Sequence, residues 1–114
     1  MKAFVLQMFE VIDAGEWDRL RDFFHPDVTY VRPGFPTICG LADLNDFYRR
    51  RRIIRTGLHV VENVVVEGDR AVALGELMAT LNDGREVRVR FADAYLFVDD
   101  KVGERQTYFG TPAV

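Results

Sequence analysis

The chain of 114 residues contains no serine, only two histidines and a single cysteine, Cys39. The absence of serine excludes a Ser-His-Asp triad, and one cysteine provides neither a disulfide framework nor a cysteine-based zinc site. His25 and His59 lie far apart in the chain and give no metal signature. The glycines are isolated, so a glycine-rich phosphate loop is also absent. We therefore expect neither a metal nor another cofactor.

Long apolar runs and an excess of positive charge are missing as well. No stretch approaches the about 18 uncharged apolar residues that cross a bilayer, and the N-terminus lacks the apolar core of a secretory signal. Fifteen Lys and Arg against eighteen Asp and Glu give a net charge of −3, which disfavours nucleic acid and membrane as partners. The arginines at 49–52, with Arg55, are interpreted as a solvated helix face. These features predict a cytoplasmic protein.

The sequence does contain enough apolar material for one core. Hydrophobic residues make up 48% of the chain, and its length fits a single domain over residues 1–114. Apolar residues at spacings of three and four predict a first helix that ends at Gly15, because glycine accepts the left-handed geometry of a helix C-cap. A short second helix begins at Asp18 and ends at Pro26, and a third runs from Leu41 to about Thr56 and is closed by Gly57.

Strands dominate the second half of the chain. A short strand is predicted over 28–31, and from His59 onward a period of two predicts strands over 59–67, 70–81, 85–98 and 102–110. Helices first and an antiparallel meander afterwards indicate an α+β fold, a cone-shaped curved antiparallel sheet wrapped around the N-terminal helices. The open mouth of such a cone leads to a hydrophobic cavity that suits a small molecule.

Asp93 is the most informative residue, because alternation places it in the middle of an apolar strand face with Tyr95. A carboxylate buried there must pair, become protonated or contact a ligand. It is therefore either structural, as an ion-pair partner or a cap on a backbone amide, or a general acid or base whose pKa its apolar surroundings raise. The same alternation groups residues on two other strands: Glu76, Met78 and Thr80 on one, and Arg105, Thr107 and Phe109 on the last. Arg105 is a possible partner of Asp93 or of Glu76.

Several segments, in this order and spacing, make the sequence recognisable. They are 14–18 (AGEWD), 24–30 (FHPDVTY), 40–41 (GL), 47–48 (FY), 59–63 (HVVEN), 84–85 (GR), 91–95 (FADAY) and 104–109 (ERQTYF). Together they resemble the nuclear-transport-factor-2-like superfamily, in particular the SnoaL-like polyketide cyclases and the ketosteroid isomerases. The resemblance covers nearly the whole chain. It implies a cone-shaped α+β barrel with a hydrophobic cavity.

The resemblance also implies site residues and a partner. Asp93 falls where the isomerases place the protonated acid of the oxyanion hole, and it matches the acid/base aspartate of the cyclases. Tyr48 falls where the isomerases have a supporting tyrosine. The family usually forms a homodimer through the outer sheet face, with which the apolar residues Ala92, Ala94 and Leu96 agree.

Two departures argue against steroid isomerisation by the usual route. Arg32 lies where the isomerases keep a proton-shuttling aspartate, and Met8 lies where they keep a tyrosine. An arginine does not abstract a proton at neutral pH. Arg32 instead either neutralises an acid across the cavity or binds a substrate oxygen. His59 matches a catalytic histidine in the dehydratase branch of the superfamily, or it is an ordinary partly buried histidine.

Two functions follow. The first is a cofactor-independent enzyme of cyclase, isomerase or dehydratase type, acting on a hydrophobic carbonyl-bearing molecule with Asp93, His59 and Arg32 as catalytic residues. Its expected substrate-binding residues are Met8, Tyr30, Tyr48, Glu76, Met78, Thr80, Tyr95, Arg105, Thr107 and Phe109. The second is a non-catalytic ligand-binding or dimeric assembly module. A permanent arginine partner for Asp93 favours the second.

Overall fold

The computed structural model describes residues 1–111, and it has three helical segments and six strands. The helical segments are α1 (Lys2–Ala14), a 3-10 helix (Trp17–Asp22) and α2 (Leu41–Asp46), which continues as one π-helical turn (Phe47–Arg51). The strands are β1 (Phe24–Val31), β2 (Ile38–Cys39), β3 (Ile54–Glu67), β4 (Arg70–Leu81), β5 (Glu86–Val98) and β6 (Lys101–Phe109). No helix in this part of the chain is long and apolar enough to span a membrane.

All six strands form one sheet in the order β2-β1-β6-β5-β4-β3. The sheet is curved and unclosed, and α1 packs on its inner face against β3. This confirms the predicted α+β cone. One pairing differs from the predicted meander, because β1 and β6 run parallel while the other neighbours are antiparallel.

The helices are confirmed at the N-terminus and shorter than predicted further on. Gly15 has a φ of 70° and caps α1 through its N–H to the carbonyl of Ile12. The predicted third helix, however, ends at Arg51, and Gly57 lies inside β3. The twelve residues of β4 need an extended partner for their backbone groups, and residues from Ile54 onward supply it.

The segment around Pro26 is a strand rather than a helix end. Phe24 pairs with Val102 and Thr29 with Glu104, and the register shifts between these two positions. Pro26 lies within that irregularity, where its missing N–H interrupts no regular ladder. The two-residue strand β2, in the predicted proline-rich loop, pairs with the far end of β1.

Strand pairing corrects the predicted positions of Glu76, Met78 and Thr80. Residues opposite one another in an antiparallel ladder share a face, and Asp93 lies opposite Ala73. Odd-numbered residues of β4 therefore face the helices, while Glu76 and Met78 lie opposite Arg90 and Arg88 on the outer face. The expectation that these three residues surround the same site as Asp93 is wrong.

Candidate functional site

Asp93 is saturated by donors from the two central strands. Its Oδ2 accepts hydrogen bonds from Nε and Nη2 of Arg105, at 3.0 and 2.7 Å, and from the Tyr95 hydroxyl at 2.8 Å. Its Oδ1 accepts the hydroxyl proton of Thr107 at 2.6 Å. The Asp93 and Arg105 side chains are 1% and 2% exposed. The arginine partner of Asp93 is therefore Arg105, and the pair is shielded from water.

This cluster continues through hydroxyl groups to both sides of the cone. Arg105 Nη1 donates to the Tyr48 hydroxyl at 2.7 Å. Because Thr107 donates to Asp93, the Tyr30 hydroxyl donates to Thr107, at 2.7 Å. Arg32 Nη1 in turn donates to Tyr30 at 3.1 Å. Sequence reasoning thus named the side chains that meet here, although it left the pairing of Asp93 open.

Burial and charge fix the protonation states of this cluster. Burial, and then the charge of Asp93, raise the pKa of Tyr95 well above its ordinary value. Burial likewise raises the pKa of Tyr48. Burial, the largest single influence, lowers the pKa of Arg105, but the Asp93 carboxylate and the nearby tyrosines together outweigh it and hold this pKa well above its ordinary value. Both tyrosines are consequently neutral, Tyr95 as a donor to Asp93 and Tyr48 as an acceptor from Arg105, and Arg105 stays charged.

A second polar pair joins the end of α1 to β3. His59 Nδ1 lies 2.6 Å from Asp13 Oδ1, and the His59 backbone N–H donates to Asp13 Oδ2 at 2.8 Å. The His59 ring centroid lies 4.5 Å from that of Phe9 and 5.3 Å from that of Phe91. The His59 and Asp13 side chains are 10% and 14% exposed. Asp13 therefore orients the ring within an aromatic wall.

The other ring nitrogen, Nε2, is the open atom of this pair. An ionised carboxylate only accepts hydrogen bonds, so the bond to Asp13 favours the neutral tautomer with hydrogen on Nδ1 and a lone pair on Nε2. Within residues 1–111, Nε2 makes no hydrogen bond, and it is not among the fully buried polar atoms. The arrangement can accept a proton from a molecule at Nε2 and return it.

Sequence reasoning missed Asp13. Forty-six residues separate it from His59, and only the packing of α1 on β3 brings them together. One signal was available in the sequence, because Asp13 lies one helical turn after Phe9, at the i+4 position that shares its face. An acid that extends a buried helix face requires a partner.

Phe9 lies between the two polar clusters. Its ring centroid is 4.5 Å from the His59 ring, and the guanidinium carbon of Arg105 lies 5.7 Å from the same centroid. Met8, the neighbouring residue of α1, is fully buried in the core. A single aromatic ring thus separates the permanently charged pair from the histidine.

The remaining predicted residues, Phe109, Glu76, Met78 and Thr80, make no side-chain hydrogen bond to these clusters. Phe109 is half-buried, with the guanidinium carbon of Arg32 5.2 Å from its ring centroid. Glu76 pairs with Arg88 on the outer face at 3.3 Å, and Met78 and Thr80 line a groove of about 510 Å³ there. The described residues contain no group of three or more His, Cys, Asp or Glu that could hold a metal ion.

A curved sheet packed against helices, with a polar cluster at its inner face, places the chain in the class of cone-shaped α+β domains. Residues 5–105 match the SnoaL-like domain family. The chain belongs to that family, as its sequence segments predicted. A search of curated proteins finds no match.

Solved structures share the fold over almost the whole chain. A Burkholderia pseudomallei protein described as NTF2-like superposes with a TM-score of 0.86 at 19% identity, covering 95% of this chain and 88% of that one. A Jannaschia sp. CCS1 protein described as a SnoaL-like polyketide cyclase gives 0.80 at 21% identity, covering 95% and 83%. An M. tuberculosis LEH-like epoxide hydrolase gives 0.81 at 14%, covering 94% and 80%. Identities this low establish the fold alone.

Proposed function

We propose that this protein is a SnoaL-like acid–base enzyme in which His59 moves the proton and Asp13 holds the imidazole. The observation that carries the proposal is the two-point bond from Asp13 to His59, which leaves Nε2 open. A carboxylate that fixes one ring nitrogen is a recurrent way to direct the other nitrogen to a substrate. No cofactor is needed for this chemistry.

The substrate class is a hydrophobic molecule that carries a carbonyl group. Nε2 of His59 takes a proton from the carbon next to the carbonyl, and the electron pair of that C–H bond moves into an enolate. Return of the proton to a different carbon gives isomerisation. In dehydration the enolate expels a β-hydroxyl group, which takes the proton and leaves as water. In cyclisation the enolate carbon attacks a second carbonyl carbon of the same molecule, and the oxygen of that carbonyl takes the proton. The aromatic rings of Phe9 and Phe91 beside His59 provide the apolar surroundings.

Asp93 suits this role less well than His59. Three donors bind its Oδ2 and a fourth binds Oδ1, and Arg105 does not release its proton at neutral pH. A proton on Asp93 would break this set of bonds. We therefore assign Asp93 and Arg105 to a fixed, charged support for β5 and β6, and Arg32 to positioning through Tyr30.

The proposal is tested by exchange of the α-protons of 2-tetralone in D2O, followed by proton NMR. The wild type should accelerate exchange over buffer, and His59→Gln should lower that acceleration by about 10²- to 10⁴-fold, the usual contribution of a general base. Asp13→Asn should lower it less, because the base remains but is no longer held. His25→Gln, which alters the other histidine, is the matched control.

Two outcomes contradict the proposal. One is a wild type that exchanges no faster than buffer, and the other is a folded His59→Gln protein at the wild-type rate. The first would favour the non-catalytic alternative, which has its own support: the saturated Asp93–Arg105 cluster occupies the inner face where a catalytic acid was expected.

We also infer that two copies associate through the outer sheet face. Around the half-buried Ala92, Ala94 and Leu96, this face carries apolar side chains that are 37 to 53% exposed. They are Val31, Val72, Leu74 and Tyr108. Sedimentation should give a dimer for the wild type and a monomer for Leu74→Glu, whereas Ile53→Glu, at an exposed site that precedes β3, should remain dimeric. A monomeric wild type would contradict this inference.

A further inference from the structure

The four consecutive arginines after α2 differ in their partners. Arg49, Arg50 and Arg51 each approach the carboxylate of an aspartate, Asp18, Asp46 and Asp43 respectively, at 2.8, 2.8 and 2.6 Å. These three fit the predicted solvated face. The guanidinium of Arg52 makes no hydrogen bond or ion pair within residues 1–111. One cation of the run is therefore left without an anion.

Arg52 is held in place by its backbone and by two aromatic rings. Its backbone N–H donates to the Phe47 carbonyl at 3.0 Å, and its backbone carbonyl accepts a hydrogen bond from Nδ2 of Asn82 at 3.3 Å. Its guanidinium carbon lies 5.0 Å from the Trp17 centroid and 5.3 Å from that of Tyr48. Aromatic faces attract a guanidinium but leave its N–H donors unused.

Partial burial makes this cation a strong receptor for an anion. Desolvation lowers the pKa of Arg52, and the nearby charge of Arg32 acts in the same direction, while Tyr48 and Asp13 oppose them. A charge that has already lost water pays less to bind an anion, and the lower local dielectric strengthens the attraction. The planar fork of donors matches a carboxylate.

The position of Arg52 connects it to the proposed catalytic pair. Asp13, which holds His59, is one of the charges that act on Arg52. Tyr48, which lies under Arg52, is stacked on Trp17 with ring centroids 5.0 Å apart. A cation and two aromatic rings thus meet beside the 3-10 helix, at a place that the charge of Asp13 reaches.

We propose that Arg52 binds the carboxylate of a hydrophobic, aryl-bearing acid at this place. That the bound acid is the substrate rests on the function proposed for His59, whereas the binding itself does not. The acid would pair with the guanidinium while its apolar part contacts the aromatic rings. The expected substrate is therefore a carbonyl compound that also carries a carboxylate.

Trp17 provides the measurement, because it is the only tryptophan and lies against Arg52. Its fluorescence is titrated with phenylacetate and with the uncharged phenylacetamide. The wild type should bind the anion at least about tenfold more tightly than the amide. Arg52→Gln should remove this difference, and Arg50→Gln, which removes an exposed arginine of the same run, should keep it. Rising salt should reduce the difference in the wild type.

Equal binding of the two probes by the wild type, or no binding of phenylacetate at millimolar concentration, would overturn the proposal. So would a folded Arg52→Gln protein that keeps the preference for the anion. If this variant does not fold, the salt dependence of the wild type decides. His59→Gln separates the two proposals, since it should keep anion binding. Anion binding without proton exchange would therefore contradict the role of His59 alone.

Discussion

Two aspartates lie on the inner side of the cone, and their surroundings differ in one respect that matters for chemistry. Asp93 binds an arginine, a tyrosine and a threonine, and it is 1% exposed. Asp13 binds the ring and backbone of one histidine and is 14% exposed. The partner of Asp93 is a guanidinium, which keeps its protons, whereas the imidazole partner of Asp13 has a second ring nitrogen that can take up a proton and return it. The partner, more than the burial, decides which carboxylate can serve proton transfer.

The largest expected effect is on the charged pair. Asp93→Asn should lower the free energy of unfolding by about 3–5 kcal/mol, because it leaves the Arg105 charge buried without its partner. Asp13→Asn should cost less, about 1–3 kcal/mol, the range for a lost buried hydrogen bond. Urea unfolding at matched protein concentration measures both. An Asp93→Asn protein as stable as the wild type would show that the carboxylate is not a structural ion-pair partner.

The next effect is on alkaline stability. Tyr95 and Tyr48 have pKa values raised by burial, so the stability from their neutral forms is complete below about pH 10, the value of an unfolded tyrosine, and is lost as the pH rises above it. Each of the two tyrosines should lower the free energy of unfolding by about 1.4 kcal/mol per pH unit in that range. Tyr95→Phe should reduce the slope by one tyrosine. An unchanged slope in Tyr95→Phe would contradict the assignment.

The smallest effect on stability is expected for an exposed arginine–carboxylate pair, which has the same chemistry as the buried Arg105–Asp93 pair. Arg90 binds Glu62 through two hydrogen bonds of 2.7 and 2.6 Å, which lower the pKa of Glu62. The stability that this pair adds is present above the ordinary pKa of glutamate and is lost as the pH falls below it. Because water screens the pair, Glu62→Gln should leave the urea midpoint almost unchanged. A loss as large as that of Asp93→Asn would show that burial does not separate the two pairs.

The fold was predictable from period and punctuation, since the strands 70–81 and 86–98 nearly coincide with runs of alternating residues. Alternation also placed Asp93 and Tyr95 on the inner face. It could not place β4 relative to β5, because the turn between them sets whether even or odd residues share a face with Asp93. Glu76 was misassigned for that reason.

Pairings across elements were the part that the sequence left open. Arg105 lies opposite Tyr95 and reaches diagonally to Asp93, which depends on the register of β5 and β6. Asp13 depends on how α1 packs on the sheet. The end of α2 was misjudged because the predicted helix was extended through Ile53, Ile54 and Thr56, β-branched residues that favour the strand pairing with β4.

The tautomer of His59 decides whether Nε2 can accept a proton, and it can be measured without a substrate. Nitrogen-15 NMR of labelled histidine, with His25→Gln used to assign the two rings, reports which nitrogen carries hydrogen. For the neutral ring we expect hydrogen on Nδ1, facing Asp13, and a bare Nε2. Hydrogen on Nε2 with a bare Nδ1 would contradict this expectation, because the atom proposed to accept the substrate proton would already hold one.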